Sequence, residues 1–249
     1  MVGLQISLGF GTHNPPWRTG GGGGGGDQYF SSTKLLLGFN GTNGSATMTD
    51  ESSTLRGNAT VLAQAQISTA QKKFGSGSLL LDGTNDGISF ADSADWEFGS
   101  GAFTVECFVR FVNNSGNQMF FSHTDSGGVG WNFYKNGGSL EFAASGVGIA
   151  ASSAWSTVNN QWYHVACDRD GSGNTRIYAD GTMLLKRTAG DGWGGTIGNP
   201  AIELMIGRIS YVDTYNLNGY MDEARITKGA ARYKSDAGFT VPTAAYPRS

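Results

Sequence analysis

Leu217-Asn-Gly-Tyr-Met-Asp-Glu-Ala-Arg-Ile-Thr-Lys-Gly-Ala-Ala-Arg-Tyr233 is the stretch on which the reading of this chain turns. It reads as a strand that runs on into a short extended tail, with Asn218-Gly219 supplying a turn at its start. Asp222 and Glu223 sit where a strand should bury apolar side chains. Asp222 shares parity with Ala224 and Ile226, so it points inward unless a bulge intervenes. A buried carboxylate must be paired, hydrogen-bonded or metal-bound. The stretch therefore predicts a tied-down sheet corner, held by a metal ion, by backbone N–H groups or by an arginine such as Arg225.

Upstream the texture is strands and turns. In Phe103 to Phe111 the residues Phe103, Val105, Cys107, Val109 and Phe111 face one way, against Thr104, Glu106 and Arg110. Leu35 to Phe39 precedes the turn pairs Asn40-Gly41 and Asn43-Gly44. A strand is expected around Val61 to Ile67, and Ser78 to Gly83 and Gly87 to Phe90 read as two arms around a loop. Further strands are expected at Gln118 to Ser122, Val129 to Tyr134, Ser139 to Phe142, Gln161 to Asp168 and Ile202 to Ile206. Thr175 to Lys186 reads as a hairpin with Asp180-Gly181 at its tip. About a dozen strands and no convincing helix predict an all-β, two-sheet antiparallel sandwich or jelly roll, because so many strands need their edges managed.

Composition agrees with that class and excludes others. The 249 residues include 40 glycines, only 15% are charged, and aromatics reach 12%, which opposes disorder. A net charge of −3 offers no basic field for nucleic acid and no polybasic patch for a membrane. Cys107 and Cys167 each lie in phase with apolar neighbours and read as buried free thiols, with a bridge between sheets as the alternative. The first residues lack the basic cluster and apolar run of a signal peptide, so synthesis in a cytoplasm is expected. Catalysis is not expected. The six glutamates never begin a Glu-x-Asp-x-x-Glu strand, no Gly-x-Ser-x-Gly elbow occurs, and the three histidines are scattered.

The N-terminal segment stands apart as residues 1–33. Val2, Leu4, Ile6, Leu8 and Phe10 alternate with small or polar residues, the pattern of a half-buried strand. Pro15-Pro16 follows, then seven glycines at 20–26, a flexible coil spanning roughly 15 Å. The arm either folds back as an edge strand or adds to another subunit, and the length of the glycine run favours the second.

Four pieces in order resemble the laminin-G-like branch of the concanavalin A-like jelly rolls. They are Leu35 to Gly41, Lys73 to Gly83, Phe103 to Arg110, and Trp162 to Arg169 with its hairpin. The closing stretch Asn218 to Tyr233, with Phe239-Thr-Val-Pro242, is similar to the form found in bacteriophage structural proteins. The resemblance spans about residues 34–247 and implies a jelly-roll domain over 34–249 with its chain ends close together. It implies a virion component, displayed on the particle surface as a head decoration, fibre or spike and attached to capsid or tail proteins by the arm. An alternative is a lectin not tied to a virion. A homo-oligomer fits the same arm. Cell-surface glycans are the expected ligands. Trp131, Tyr134, Trp155, Trp193, Tyr211 and Tyr215 lie in or beside Gly/Ser/Asn-rich loops where a sugar platform forms, although Trp131 reads equally as core and Trp155 as a loop anchor. In related jelly rolls a structural calcium joins the last strand to an early turn, which here implies Asp222 with oxygen near Asn40.

Overall fold

The computed structural model describes residues 26–152 and 154–249. The predicted arm residues Val2, Leu4, Ile6, Leu8 and Phe10 lie outside them. Two antiparallel sheets form a jelly-roll sandwich, with strands numbered in chain order. The eight-stranded sheet contains β1 (Thr33–Leu37), β3 (Gln66–Ser68), β4 (Ser78–Asp82), β6 (Phe103–Phe111), β11 (Trp162–Arg169), β12 (Thr175–Ala179), β13 (Thr182–Arg187) and β15 (Asn218–Lys228). The seven-stranded sheet contains β2 (Thr60–Leu62), β5 (Gly87–Phe90), β7 (Gln118–Thr124), β8 (Gly130–Asn136), β9 (Ser139–Ala144), β10 (Gly148–Ala151) and β14 (Leu204–Ile206).

The alternation of β6 does what its pattern predicts. Phe103, Val105, Cys107, Val109 and Phe111 enter the core between the sheets, each contributing on the order of 1.5–3 kcal/mol by burial. Cys107 and Cys167 are buried free thiols on adjacent strands of one sheet, so no bridge joins the two sheets. Asp180 (φ 47°) and Gly181 (φ 75°) close the β12–β13 hairpin in the left-handed conformations that its turn needs. One local expectation fails through a change of sheet. The segment around Val61 to Ile67 splits into β2 and β3 in opposite sheets, turned at Ala63 (φ 53°). Likewise β4 and β5 part across the sandwich, and Asp86 pins the crossing by accepting from the N–H of Asp82 and Gln64.

β15 is the pivot. One side pairs with β6 along most of its length, while the other pairs with β4 over Asn218 to Met221 and then with β1 over Ala224 to Thr227. Between those partners the register slips, and Glu223 takes a left-handed φ of 48°. This bulge resolves the acidic puzzle. Met221 and Ala224 both face the core, and the two carboxylates between them leave it. Asp222 accepts from the N–H of Lys73 (2.8 Å), Phe74 (3.0 Å) and Glu223 (2.8 Å). Glu223 accepts from the N–H of Tyr246 and from both Nη atoms of Arg248.

The outer face of the eight-stranded sheet is covered by the chain from Tyr233 to the C-terminus. Leu36, Phe108 and Tyr246 form a second apolar cluster there, with Phe30, Phe74, Trp162 and Val241 against it. At its centre the fully buried carboxylate of Glu106 takes Arg225 Nε at 2.8 Å and Nη2 at 2.7 Å, Tyr246 Oη at 3.1 Å, and the Tyr233 hydroxyl. His164 Nε2 lies 3.2 Å away. Burial would raise the Glu106 pKa, but Arg225, His164 and Arg232 hold it well below the usual carboxylate range. Asp168 holds the start of the tail by accepting from the N–H of Tyr233 and Lys234. The N–H of Asp27 donates to the Ser249 carbonyl at 2.7 Å, so the described chain begins where it ends.

Glu106→Gln leaves the guanidinium of Arg225 buried without its principal counter-charge, and a loss of about 3 kcal/mol is expected in urea unfolding. A loss below about 1 kcal/mol would show that Asp27 alone satisfies Arg225.

The pH dependence has a definite sign. The folded pKa of Glu106 lies below its ordinary 4.5, so its contribution is complete above that value and lost as acid is added. Burial pushes Asp168 up to about 6 and Asp222 up to about 7, from 3.8. Their contributions are complete below 3.8 and lost as pH rises through those folded values. Unfolding free energy should therefore peak near about pH 4 and fall toward about pH 7. A continuous rise to about pH 8 in chemical denaturation would contradict this balance.

Candidate functional site

The two outer faces of the sandwich differ. The seven-stranded sheet is read most directly along its cross-strand rows. Val61, Ile88, Ile206, Phe121, Phe133, Phe142 and Ala150 are in mutual register and pack in or against the core. The adjoining row, Thr60, Ser89, Met205, Ser122, Asn132, Ala143 and Ile149, therefore lies on the outer face. Tyr134 and Glu141, directly paired, share that face, and Tyr134 Oη donates to Glu141 Oε2 at 2.7 Å. Asn136 Nδ2 occupies the other oxygen of Glu141 at 3.1 Å.

The segment between β14 and β15 brings further aromatics to this face. Tyr215 meets the Tyr134 ring edge-on at 6.0 Å, and its carbonyl accepts from Met119 N–H. Burial, Tyr215 and Asp125 raise the pKa of Tyr211, which puts it within electrostatic reach of both. Tyr211 is 41% exposed. Beneath the tyrosines lie polar atoms with no hydrogen-bond partner among the described residues: Ser122 Oγ, Thr124 Oγ1, Asn132 Oδ1 and Asn216 Oδ1. Each such atom costs about 1–3 kcal/mol when left unpaired. Asn132, Ala143 and Ala151 form a half-buried floor of small side chains next to Ile149, which is 57% exposed. The face thus offers aromatic surface over a shallow floor, exposed at Tyr211 and half-buried at Tyr134 and Tyr215, with these polar atoms enclosed beneath it.

Of the six predicted platform residues, the structure assembles Tyr134, Tyr211 and Tyr215. The three tryptophans are elsewhere. Trp131 is fully buried, lies between Phe98 and Phe142, and donates Nε1–H to the Trp96 carbonyl. Trp193 packs on Phe142, and Trp155 on Phe111 and Tyr163. Trp131 falls on the inward parity of β8, which decides it. Trp155 also borders an open groove of about 510 Å³ with Asn114, Lys135 and Ser139. Of the polar groups there, Asn114 is committed to Thr157 and Lys135 to backbone carbonyls. Ser122, Thr124, Asn132 and Glu141 were not singled out from sequence. Their outward parity beside core phenylalanines was the available signal.

The family described as the concanavalin A-like lectin/glucanases superfamily, a laminin-G type, matches residues 82–232, and the chain belongs to it. Among curated proteins none matches the sequence. The fold resembles the binding domain of Paraclostridial Mosquitocidal Protein 1, with a TM-score of 0.62 and 16% identity over 82% of this chain. This chain spans about half of that one, 51%. Domain 4 of AbnA, an extracellular arabinanase from Geobacillus stearothermophilus solved with arabinotriose, gives 0.60 at 17% identity, over 80% of this chain and 93% of that one. The ligand-binding domain of botulinum neurotoxin serotype D, solved with N-acetylneuraminic acid, gives 0.57 at 14%, over 82% and 49%.

The residues expected to hold calcium do not fit it. Both oxygens of Asp222 face N–H donors, and Asn40 Oδ1 accepts from Ser76 N–H at 2.7 Å and from its hydroxyl. A cation would meet donor hydrogens where it needs lone pairs. Both residues instead tie down the 73–76 turn. No group of three His, Cys, Asp or Glu able to hold a metal occurs among the described residues. Excess EDTA should leave the melting temperature unchanged in differential scanning fluorimetry. A fall that calcium reverses would reinstate the metal.

Proposed function

We propose that this chain is a non-catalytic carbohydrate-binding module carried on the surface of a bacteriophage particle by its N-terminal arm. The observation that carries the binding reading is the convergence of Tyr134, Tyr211 and Tyr215 on one outer face, with Glu141 orienting the Tyr134 hydroxyl. Sugars are held by an aromatic face and by hydrogen bonds to their hydroxyls, and the tyrosines bring both rings and hydroxyls to this surface. The ligands of the arabinanase domain and the neurotoxin domain are saccharides, which supports the same class here.

The virion reading draws on the phage-like closing stretch and on where the tether departs. Asp27 is held on the outer face of the eight-stranded sheet by Arg232 at 2.8 and 2.9 Å and by Arg225. The aromatic cluster is on the other sheet. Attachment on one side thus leaves recognition open on the other. The alternating residues Val2 to Phe10 would add as a strand to a capsid or tail protein, or to a second copy.

The experiment compares the full chain with one lacking residues 1–25. Both should bind the same glycans on an array, and only the full chain should be recovered on purified particles. Unchanged incorporation of the shortened chain would overturn the tether. Absence of any bound glycan for both would overturn the binding reading and leave a scaffold.

A further inference from the structure

Resting on that reading, we propose that the open groove beside Trp155 is a second subsite, which takes a carboxylated sugar unit of the uronic or sialic acid type. It lies at one end of the sandwich, where the connections from β6 to β7, β8 to β9 and β10 to β11 meet. The recess holds about 510 Å³, and its polar side chains are those of Asn114, Lys135, Ser139, Trp155, Ser156 and Thr157. None of the residues that line it is acidic.

The charge of Lys135 is the first observation that points to an anionic occupant. A buried lysine is ordinarily paired with a carboxylate. Lys135 is only 3% exposed, and its ammonium is held by the carbonyl of Gly116 at 3.2 Å and by that of Gly137, a residue of the recess wall. Carbonyl dipoles solvate the charge without cancelling it. Burial lowers the pKa of the ammonium, and no described carboxylate is close enough to oppose that shift. Glu141, on the same hairpin, has its two oxygens taken by Tyr134 and Asn136. The positive charge at the recess therefore stands uncompensated.

The second observation is an indole N–H. Trp96 and Trp131 are buried and donate Nε1–H to the carbonyls of Ala91 and Trp96. Trp155 packs its ring on Phe111, Phe120 and Tyr163, but its Nε1 has no partner among the described residues and is not one of the enclosed polar atoms. That N–H is open to solvent at the recess. Ser139 Oγ meets the same two conditions, and Ser156 is exposed. An indole only donates, and an ionised carboxylate only accepts. A neutral sugar would answer these donors and leave the Lys135 charge as it stands. A carboxylate answers both, and attraction to a charge in a partly desolvated wall is stronger than in water.

The test is a proton–nitrogen correlation spectrum of the isotope-labelled full chain, titrated with a glucuronic-acid-terminated oligosaccharide and separately with its glucose-terminated counterpart. The Trp155 indole signal, identified by its loss in Trp155→Phe, should shift with the acidic probe while those of Trp96 and Trp131 stay. The neutral probe should act on that signal at least ~10-fold more weakly. Lys135→Met, which keeps the stem and removes the charge, should erase that preference. Because Lys135 also holds the turn, Ser156→Asp at an exposed position is the second variant. It should weaken the acidic probe at least ~10-fold with an unchanged melting temperature. Equal action of both probes on Trp155, an acidic probe that binds without moving Trp155, or full affinity in Ser156→Asp would each overturn the inference. If Trp155 ignores the acidic probe while a glycan array still shows bound neutral sugars, the subsite falls and the glycan-binding reading stands. Silence in both experiments overturns both.

Discussion

The carboxylate of Glu106 is the interaction on which the rest of the architecture depends. It sits mid-strand on β6, on the face turned away from the main core, where a sandwich usually meets water. Here it is fully buried, and an ionised group can remain so only when its lone pairs are filled. Arg225 of β15 fills two with its fork, and the hydroxyls of Tyr233 and Tyr246 fill the remainder. The guanidinium of Arg225 lies 3.6 Å from the centroid of the Tyr246 ring, so the same tail residue that completes the anion also covers the cation. Burying such a pair adds little net stability by itself. It makes any tail position other than this one leave a charge stranded, and so it selects one arrangement.

That selection organises the molecule's two faces. Tyr233 stacks on Phe239 at 3.5 Å, and both meet Tyr178 edge-on, which seals the eight-stranded sheet. The sealed face also gathers Arg225 and Arg232 around Glu106 and Asp27. The opposite face keeps small and polar side chains in register across seven strands, with little charge. Covering one sheet with the chain's own tail leaves the other as the surface on which the tyrosines converge.

The strongest sequence signals were those that depend on one strand alone. Alternation from Phe103 to Phe111, the Asp180-Gly181 turn and the in-phase cysteines all describe local geometry, and local geometry held. Signals that depend on which sheet receives a segment were weaker. Nothing in the period of Val61 to Ile67 marks Ala63 as the point where the chain changes sheets. The site was half legible. Tryptophan suits both a core and a sugar platform, and on β8 parity alone separates Trp131 from its outward neighbours Asn132 and Tyr134. Ser122 and Thr124 carry no distinctive composition, and only cross-strand register places them opposite Asn132 and Gly130 on the outer face.

The acidic pair Asp222-Glu223 shows how a single inserted residue converts a local anomaly into a long-range tie. Without the bulge, strict alternation from Met221 would turn Asp222 outward, Glu223 into the core and Ala224 out of it. An unpaired carboxylate in that core would be prohibitive. The extra residue restores Ala224 and Ile226 to the core and leaves both acids on the outer face, at the gap between β4 and β1. Each acid then finds a distant partner. Asp222 takes the turn that leads into β4, and Glu223 takes Tyr246 and Arg248 of the tail. Arg248 in turn reaches Glu51 in the loop after β1. A carboxylate pair that resembles a metal site in sequence is therefore a backbone clamp. Its position at the slip between two neighbouring strands is what lets one stretch hold the start, middle and end of the domain together.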